Sequence, residues 1–261
     1  MSAAARQSTS IDFVEEYAAA AERLAVAVAW CDLKAPVRHC PGWSTYDVVV
    51  HLGNVHAWAA TIVETGRTAA EQNDEPSSTR PRTVSAWYAG KAEDLYQVLR
   101  QTPPDRPCWN FVTRDGTVGF WRRRQLHETT IHHVDLDVAA GRSPDVAPVI
   151  AADGVDEVLT AMSRRMHQRG RGAQLERPLG LSCSDTGDAW VVAPAADPAA
   201  PFTVEGPGPG AAAHGPVDRV EAPADVLYQL LWKRLSLDEA GLRVDGDAAR
   251  VAAFLGSPLA P

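Results

Sequence analysis

The chain has 261 residues, 45% hydrophobic and 22% charged, with a net charge of -8. That is enough for a sizeable core in one large domain or two modest ones. The negative balance argues against nucleic acid as the main partner, and the absence of any run of about 18 apolar residues argues against a membrane span.

In chain order, the opening MSAAARQSTSIDF lacks the apolar core of a signal peptide. A first helix is expected from about Ser10, a plausible cap, to Trp30, with Phe13, Tyr17, Ala20, Leu24 and Ala27 as its apolar stripe. Pro36 ends it, and Pro41-Gly42 marks a turn. Ser44 and Asp47 form a variant capping box for a second helix, Thr45 to Glu64. His51 lies on its stripe of Val48, Leu52, Val55, Ala59 and Ile62, so it is expected to point inward. His56, five residues on, is about 140° away and is not a first-choice ligand. Trp43 and Trp58 are expected in the core.

Residues 66–83 are polar, a flexible connection able to lie over a site. A third helix follows from Val84 to Leu99. Asp115-Gly116 signals a hairpin tip. A fourth helix is expected from Trp121 to Ala140, with Gly141 beyond its end. Three of the eight histidines fall within its middle seven residues. Glu128 and His132 are four apart, one turn on one face, so a carboxylate and an imidazole can close on one metal ion. Asp135 lies on the same side, placed to take the second ring proton of His132. The pair needs a further ligand, and His51 is the candidate. His127, His56 and His133 are expected to be packed or hydrogen-bonded rather than ligands. Four such helices imply a four-helix bundle, whose interior hosts metal sites of this kind.

A helix over 151–168 and a polar linker come next. From about residue 178 the period shortens. LGLSCSD, AWVVA and FTVEG read as strands, a leucine-rich helix follows, then a strand near 242–244 and a last helix capped by Asp247. This is a small α+β unit. The expected division is 1–168 and 178–261. Cys31, Cys40, Cys108 and Cys183 make no C-x-x-C pair, so reduced thiols and a cytoplasmic location are expected.

Taken in order, PGWSTYDVVVHLGNVH, HETTIHHVDLDVAAG, ADGVDEVL and DVLYQLLWKRL with VDGD resemble the mycothiol-dependent maleylpyruvate isomerase family, a branch of the DinB-like metal enzymes. The resemblance implies a bundle carrying a divalent metal, usually zinc, on His51, Glu128 and His132. It also implies a smaller domain, similar to sterol carrier proteins, closing over the site. The implied chemistry is isomerisation or S-transfer by mycothiol as thiol cosubstrate, acting on a small-molecule electrophile, in a monomer or homodimer. Maleylpyruvate is a dianion and wants Arg nearby. Arg234, in LLWKRL, matches a basic position of the family, and Arg82 is the candidate for the second charge. Family members often carry Arg-Trp after the ligand histidine; His133-Val134 stands here and alters the pocket wall. Two other readings stay open on these residues: a hydrolase on the same ligands, and a DinB-like bundle that binds a small molecule without catalysis.

Overall fold

A computed structural model describes residues 11–71, 73–197, 199–208 and 218–261. Helix α1 (Phe13–Val28) is capped by the Asp12 carboxylate, which accepts from the amides of Val14 and Glu15. Ser10, the expected cap, lies outside the described residues. Helix α2 (Thr45–Thr65) begins with the expected capping box, Ser44 and Asp47 each bonding the other's backbone. Helix α3 (Pro81–Gln101) starts three residues before the predicted Val84, because Pro81 suits the first helical turn. Helix α4 (Val118–Ala139) also starts three residues early and ends at left-handed Gly141.

These helices share one core. Helix α1 packs on α3 and α4, and α2 packs on the same two. Tyr17, Leu24, Leu52, Ile62, Tyr88, Leu95 and Leu99 are fully buried there. Each aliphatic side chain so buried contributes about 1.5–3 kcal/mol. Helix α4 runs through the middle and is buried on nearly every side, even at Arg124, Gln125, His127, His132 and Asp135. Buried polar groups need partners, and its apolar stripe is correspondingly weak.

The hairpin before α4 differs from expectation. Strands β1 (Pro107–Cys108) and β2 (Gly116–Thr117) pair antiparallel, with Gly116 opposite Cys108, so Gly116 sits in the ladder and not at the tip. Asn110 makes the turn, its side-chain oxygen accepting from the amides of Val112 and Thr113. A Cβ on Gly116 would lie 2.2 Å from the Asn110 amide nitrogen, so a larger residue here would push Asn110 out of its turn-forming position.

Helix α5 (Pro148–Glu157) continues through a π-helical turn, Val158–Met162, into α6 (Ser163–Gln168). The second sheet has the order β5-β4-β3-β6-β7, from β3 (Leu179–Cys183), β4 (Ala189–Ala193), β5 (Thr203–Glu205), β6 (Asp218–Ala222) and β7 (Arg243–Asp245). Only β3 and β6 run parallel. Strand β6 is missing from the sequence reading because DRVEA alternates charges with small apolar residues. Helices α7 (Ala224–Leu231) and α8 (Ala248–Gly256) complete the unit, with Asp247 capping α8 as expected.

The sheet unit is fastened to α4 and α5 by buried polar contacts. The Tyr228 hydroxyl donates to the His127 carbonyl (3.2 Å), and the Trp190 indole donates to Asp156 (2.9 Å). Arg234 pairs with Asp135. Helix α5 packs on α7 at Gly154, where a Cβ would meet the Tyr228 ring at 2.3 Å. No described helix is long and apolar enough to cross a membrane.

His56 is fully buried, bonded through Nδ1 to Gln125 (2.8 Å) and through Nε2 to the Tyr88 hydroxyl (3.3 Å). Burial pushes its pKa down to about 4. A histidine that charges more readily when unfolded favours unfolding as the pH falls. Its contribution is therefore complete above pH 6.5 and lost between 6.5 and about 4, on the order of 3 kcal/mol. His56→Gln is expected to flatten that part of the stability–pH profile, measured by urea unfolding. An unchanged slope in the variant would assign the acid sensitivity to other groups.

Candidate metal centre

Glu128 and His132 project from successive turns of α4, and His51 from the facing helix α2. One ligand atom from each of the three lies within 4.8 Å of the others. Glu128 Oε1 is 3.3 Å from His51 Nε2 and 3.6 Å from His132 Nε2. Two imidazoles thus converge on one carboxylate oxygen from separate helices, their rings 5.3 Å apart and nearly perpendicular. Two nitrogens and a carboxylate oxygen within that span suit a divalent ion bound by three protein ligands.

Each ligand is held from behind. Asp135 Oδ2 lies 2.9 Å from His132 Nδ1, which fixes the ring proton there and leaves Nε2 as the acceptor. Arg234 clamps Asp135 in two-pronged fashion, Nε to Oδ1 at 3.0 Å and a terminal nitrogen to Oδ2 at 2.8 Å. Burial alone would raise the Asp135 pKa; the His132, His39 and Arg234 contacts more than reverse that and hold it far below the usual range. The second Glu128 oxygen accepts from Arg124 at 2.7 Å. Burial opposes ionisation of Glu128 too, but Arg124, His132 and His51 keep it well below the ordinary range. Arg124 in turn bonds buried Glu157 and lies over the Trp232 ring, 4.9 Å from its centroid.

His51 and Glu128 open onto a cleft of about 620 Å³. Its walls include Trp43, Trp58, Phe111 and Trp121, and its rim carries Asp47, Glu71 and Glu75. Glu71, Asn73 and Glu75, from the connection between α2 and α3, border the cleft. His51 is 36% exposed, Glu128 18% and His132 8%, so the group is approached from the His51 side.

The structure thus brings His51, Glu128 and His132 together, with Asp135 behind. His127 bonds Asp153 (2.7 Å), away from the group, and His133 lines a different groove, between α1 and α4. The two arginines are placed otherwise than expected. Arg234 does not line the cleft; it is 7% exposed and spends its guanidinium on Asp135. Arg82, in the first turn of α3, stacks over exposed Trp30 at 5.2 Å and lies outside the cleft. Trp43 is not a core residue: it is 37% exposed, with its ring 5.1 Å from that of His51. A further cleft residue, Arg165 on α6, escaped the sequence reading. Its signal was a basic residue three after Met162, on a stripe otherwise apolar.

Residues 13–137 match the family described as "Mycothiol maleylpyruvate isomerase N-terminal domain". Among solved structures the chain is similar to a mycothiol-dependent maleylpyruvate isomerase, with 14% identity and a TM-score of 0.59, covering 89% of this chain and 91% of that one. It is similar also to a histidine-to-alanine mutant of a mycothiol-dependent maleylpyruvate isomerase, at 13% identity and a TM-score of 0.57 over the same shares. At such identities the likeness concerns the fold. No curated protein matches the chain.

Proposed function

We propose, from the match of residues 13–137 to the mycothiol maleylpyruvate isomerase N-terminal domain family, that the chain is a metal-dependent thiol enzyme. It activates a low-molecular-weight thiol, mycothiol, for addition to a small electrophile, with isomerisation of maleylpyruvate as the reference reaction. We read α1 to α4 as a DinB-like four-helix bundle within a metal-binding domain, residues 1–168. Residues 178–261 are a smaller domain similar to sterol carrier proteins. The four free thiols suit a reducing cytoplasm.

The observation that carries this reading is the convergence of His51, Glu128 and His132 at the wall of an aromatic cleft. These three side chains would hold a divalent ion, zinc being the first candidate among the metals that accept such ligands. When bound, such an ion lowers the pKa of a thiol, so that thiolate is available at neutral pH. Asp135 keeps the Nδ1 proton of His132 in place, and Arg234 holds Asp135; Arg234 is thus a positioning residue. Arg124 orients Glu128 by its other oxygen. Trp43 beside His51, with Trp58 and Trp121 deeper in, limits water around the reacting atoms.

Addition of thiolate to the double bond moves an electron pair toward the conjugated carbonyl and leaves a single carbon–carbon bond. That bond rotates. Expulsion of the thiolate restores the alkene as the trans isomer, so the thiol is not consumed. Capture of a proton instead leaves a thioether, the S-transfer outcome. The test is loss of maleylpyruvate by the metal-loaded protein with and without mycothiol. The expected result is turnover only with the thiol. Equal turnover without thiol would replace this reading with hydrolysis.

A further inference from the structure

We propose that Arg165 is the carboxylate-binding group of the cleft, and that the cleft accepts an electrophile bearing one carboxylate in preference to a dicarboxylate. This rests on the reading that the cleft receives the electrophile, and it names a residue and a charge class within it.

Most cations around the site already have partners. Arg124 is committed to Glu128 and Glu157, Arg123 to Asp153 and Asp156, and Arg234 to Asp135. Arg122 spends its guanidinium on the carbonyls of Leu99 and Thr102, and Arg82 lies on Trp30. Arg165 is half-buried and lines the cleft, and among the described residues no carboxylate lies within 4.0 Å of its guanidinium. Its neighbour is the face of Phe111, 4.0 Å from the ring centroid. A ring face offsets only part of the cost of desolvating a cation. Burial, and then nearby Arg169, bring its pKa down to about 10, so it is still charged at neutral pH. A partly desolvated guanidinium in a cleft, resting on a ring, with Glu128 and Glu71 acting on it only from beyond ion-pair distance, is arranged for an anion that arrives with the ligand. Its planar donor fork matches a carboxylate.

The rest of the cleft sets the number of charges. The rim carries Asp47, Glu71 and Glu75. A second ligand carboxylate reaching that rim would meet these like charges, and both arginines expected for that task are committed elsewhere. Trp58, Phe111 and Trp121 offer flat apolar surface for the unsaturated part of the molecule.

The test is calorimetric binding of three near-isosteric cis alkenes to the zinc-loaded full-length protein: maleamide, maleamate and maleate, with zero, one and two carboxylates. The wild type is expected to bind maleamate about 10- to 100-fold more tightly than maleamide, the usual range for a charge-assisted contact. Maleate should bind more weakly than maleamate. Arg165→Gln should bring maleamate down to the level of maleamide, and Arg165→Lys should keep a reduced preference. A merely structural role would weaken all three together. The proposal is overturned by a carboxylate preference that survives in Arg165→Gln, by binding of maleate as tight as that of maleamate or tighter, or by no detectable preference in the wild type, lack of binding included. Thiol-dependent turnover is measured separately on the same protein. Its absence alongside the expected binding pattern would refute the thiol reading and leave this one standing.

Discussion

His132→Ala is expected to abolish turnover, a fall of more than about 1,000-fold if the ion supplies the reactive thiolate. His51→Ala should do the same. Removing one of three protein ligands leaves an incomplete site, and no other described histidine is placed to substitute. His56 is fully buried on Gln125 and Tyr88, and His133 faces another groove. Glu128→Gln is the more informative change. It keeps the shape and an oxygen but loses the charge that His51, His132 and Arg124 all address. Bound metal per chain and thiol-dependent rate should fall together, while the helix signal in circular dichroism stays at the wild-type level. Full metal and full rate in Glu128→Gln would show that this carboxylate is no ligand.

Arg124→Met is expected to cost about 3–5 kcal/mol of stability, the range for breaking one partner out of a buried ion pair. Arg124 is 3% exposed and Glu157 is 2% exposed, so the variant strands a carboxylate in the interior. Arg124→Met combined with Glu157→Gln should recover much of the loss, because Glu157 is then neutral and Glu128 keeps its contacts to His51 and His132. Urea midpoints of the single and double variants measure this. The same substitution frees the second oxygen of Glu128, so zinc affinity should also fall, about 10- to 100-fold for loss of a group that orients a ligand. A double variant as unstable as the single one would show that packing against Trp232, and not charge pairing, accounts for the effect.

The sequence was most informative where local rules coincide with tertiary demand. The centre of the α1 stripe, most of the α2 stripe, the Ser44–Asp47 capping box and the Asp247 cap appear where local physics puts them, while at the ends of α1 Val14 and Val28 are buried in place of Phe13 and Ala27. The four-residue spacing of Glu128 and His132 on a helix needed only that helix to form. His51 could be added because α2 carries it on an apolar stripe, although its ring borders the cleft instead of lying deep in the core. Long-range partners were out of reach. Nothing in LLWKRL tells that Arg234 folds back onto Asp135, 99 positions earlier, or that Arg82 meets Trp30. Strand β6 was hidden because alternation of Asp, Arg and Glu with Val and Ala reads as surface, yet it pairs with both β3 and β7. Arg165 was out of reach because it borders the inner stripe of its helix, and nothing local shows that this edge faces the cleft and the ring of Phe111.

The most direct measurement is anomalous diffraction at the zinc edge from crystals of the zinc-loaded protein. A single strong peak is predicted about 2.0–2.2 Å from His51 Nε2, His132 Nε2 and a Glu128 oxygen. Stoichiometric zinc with its peak elsewhere, or no peak among these three side chains, would contradict the account.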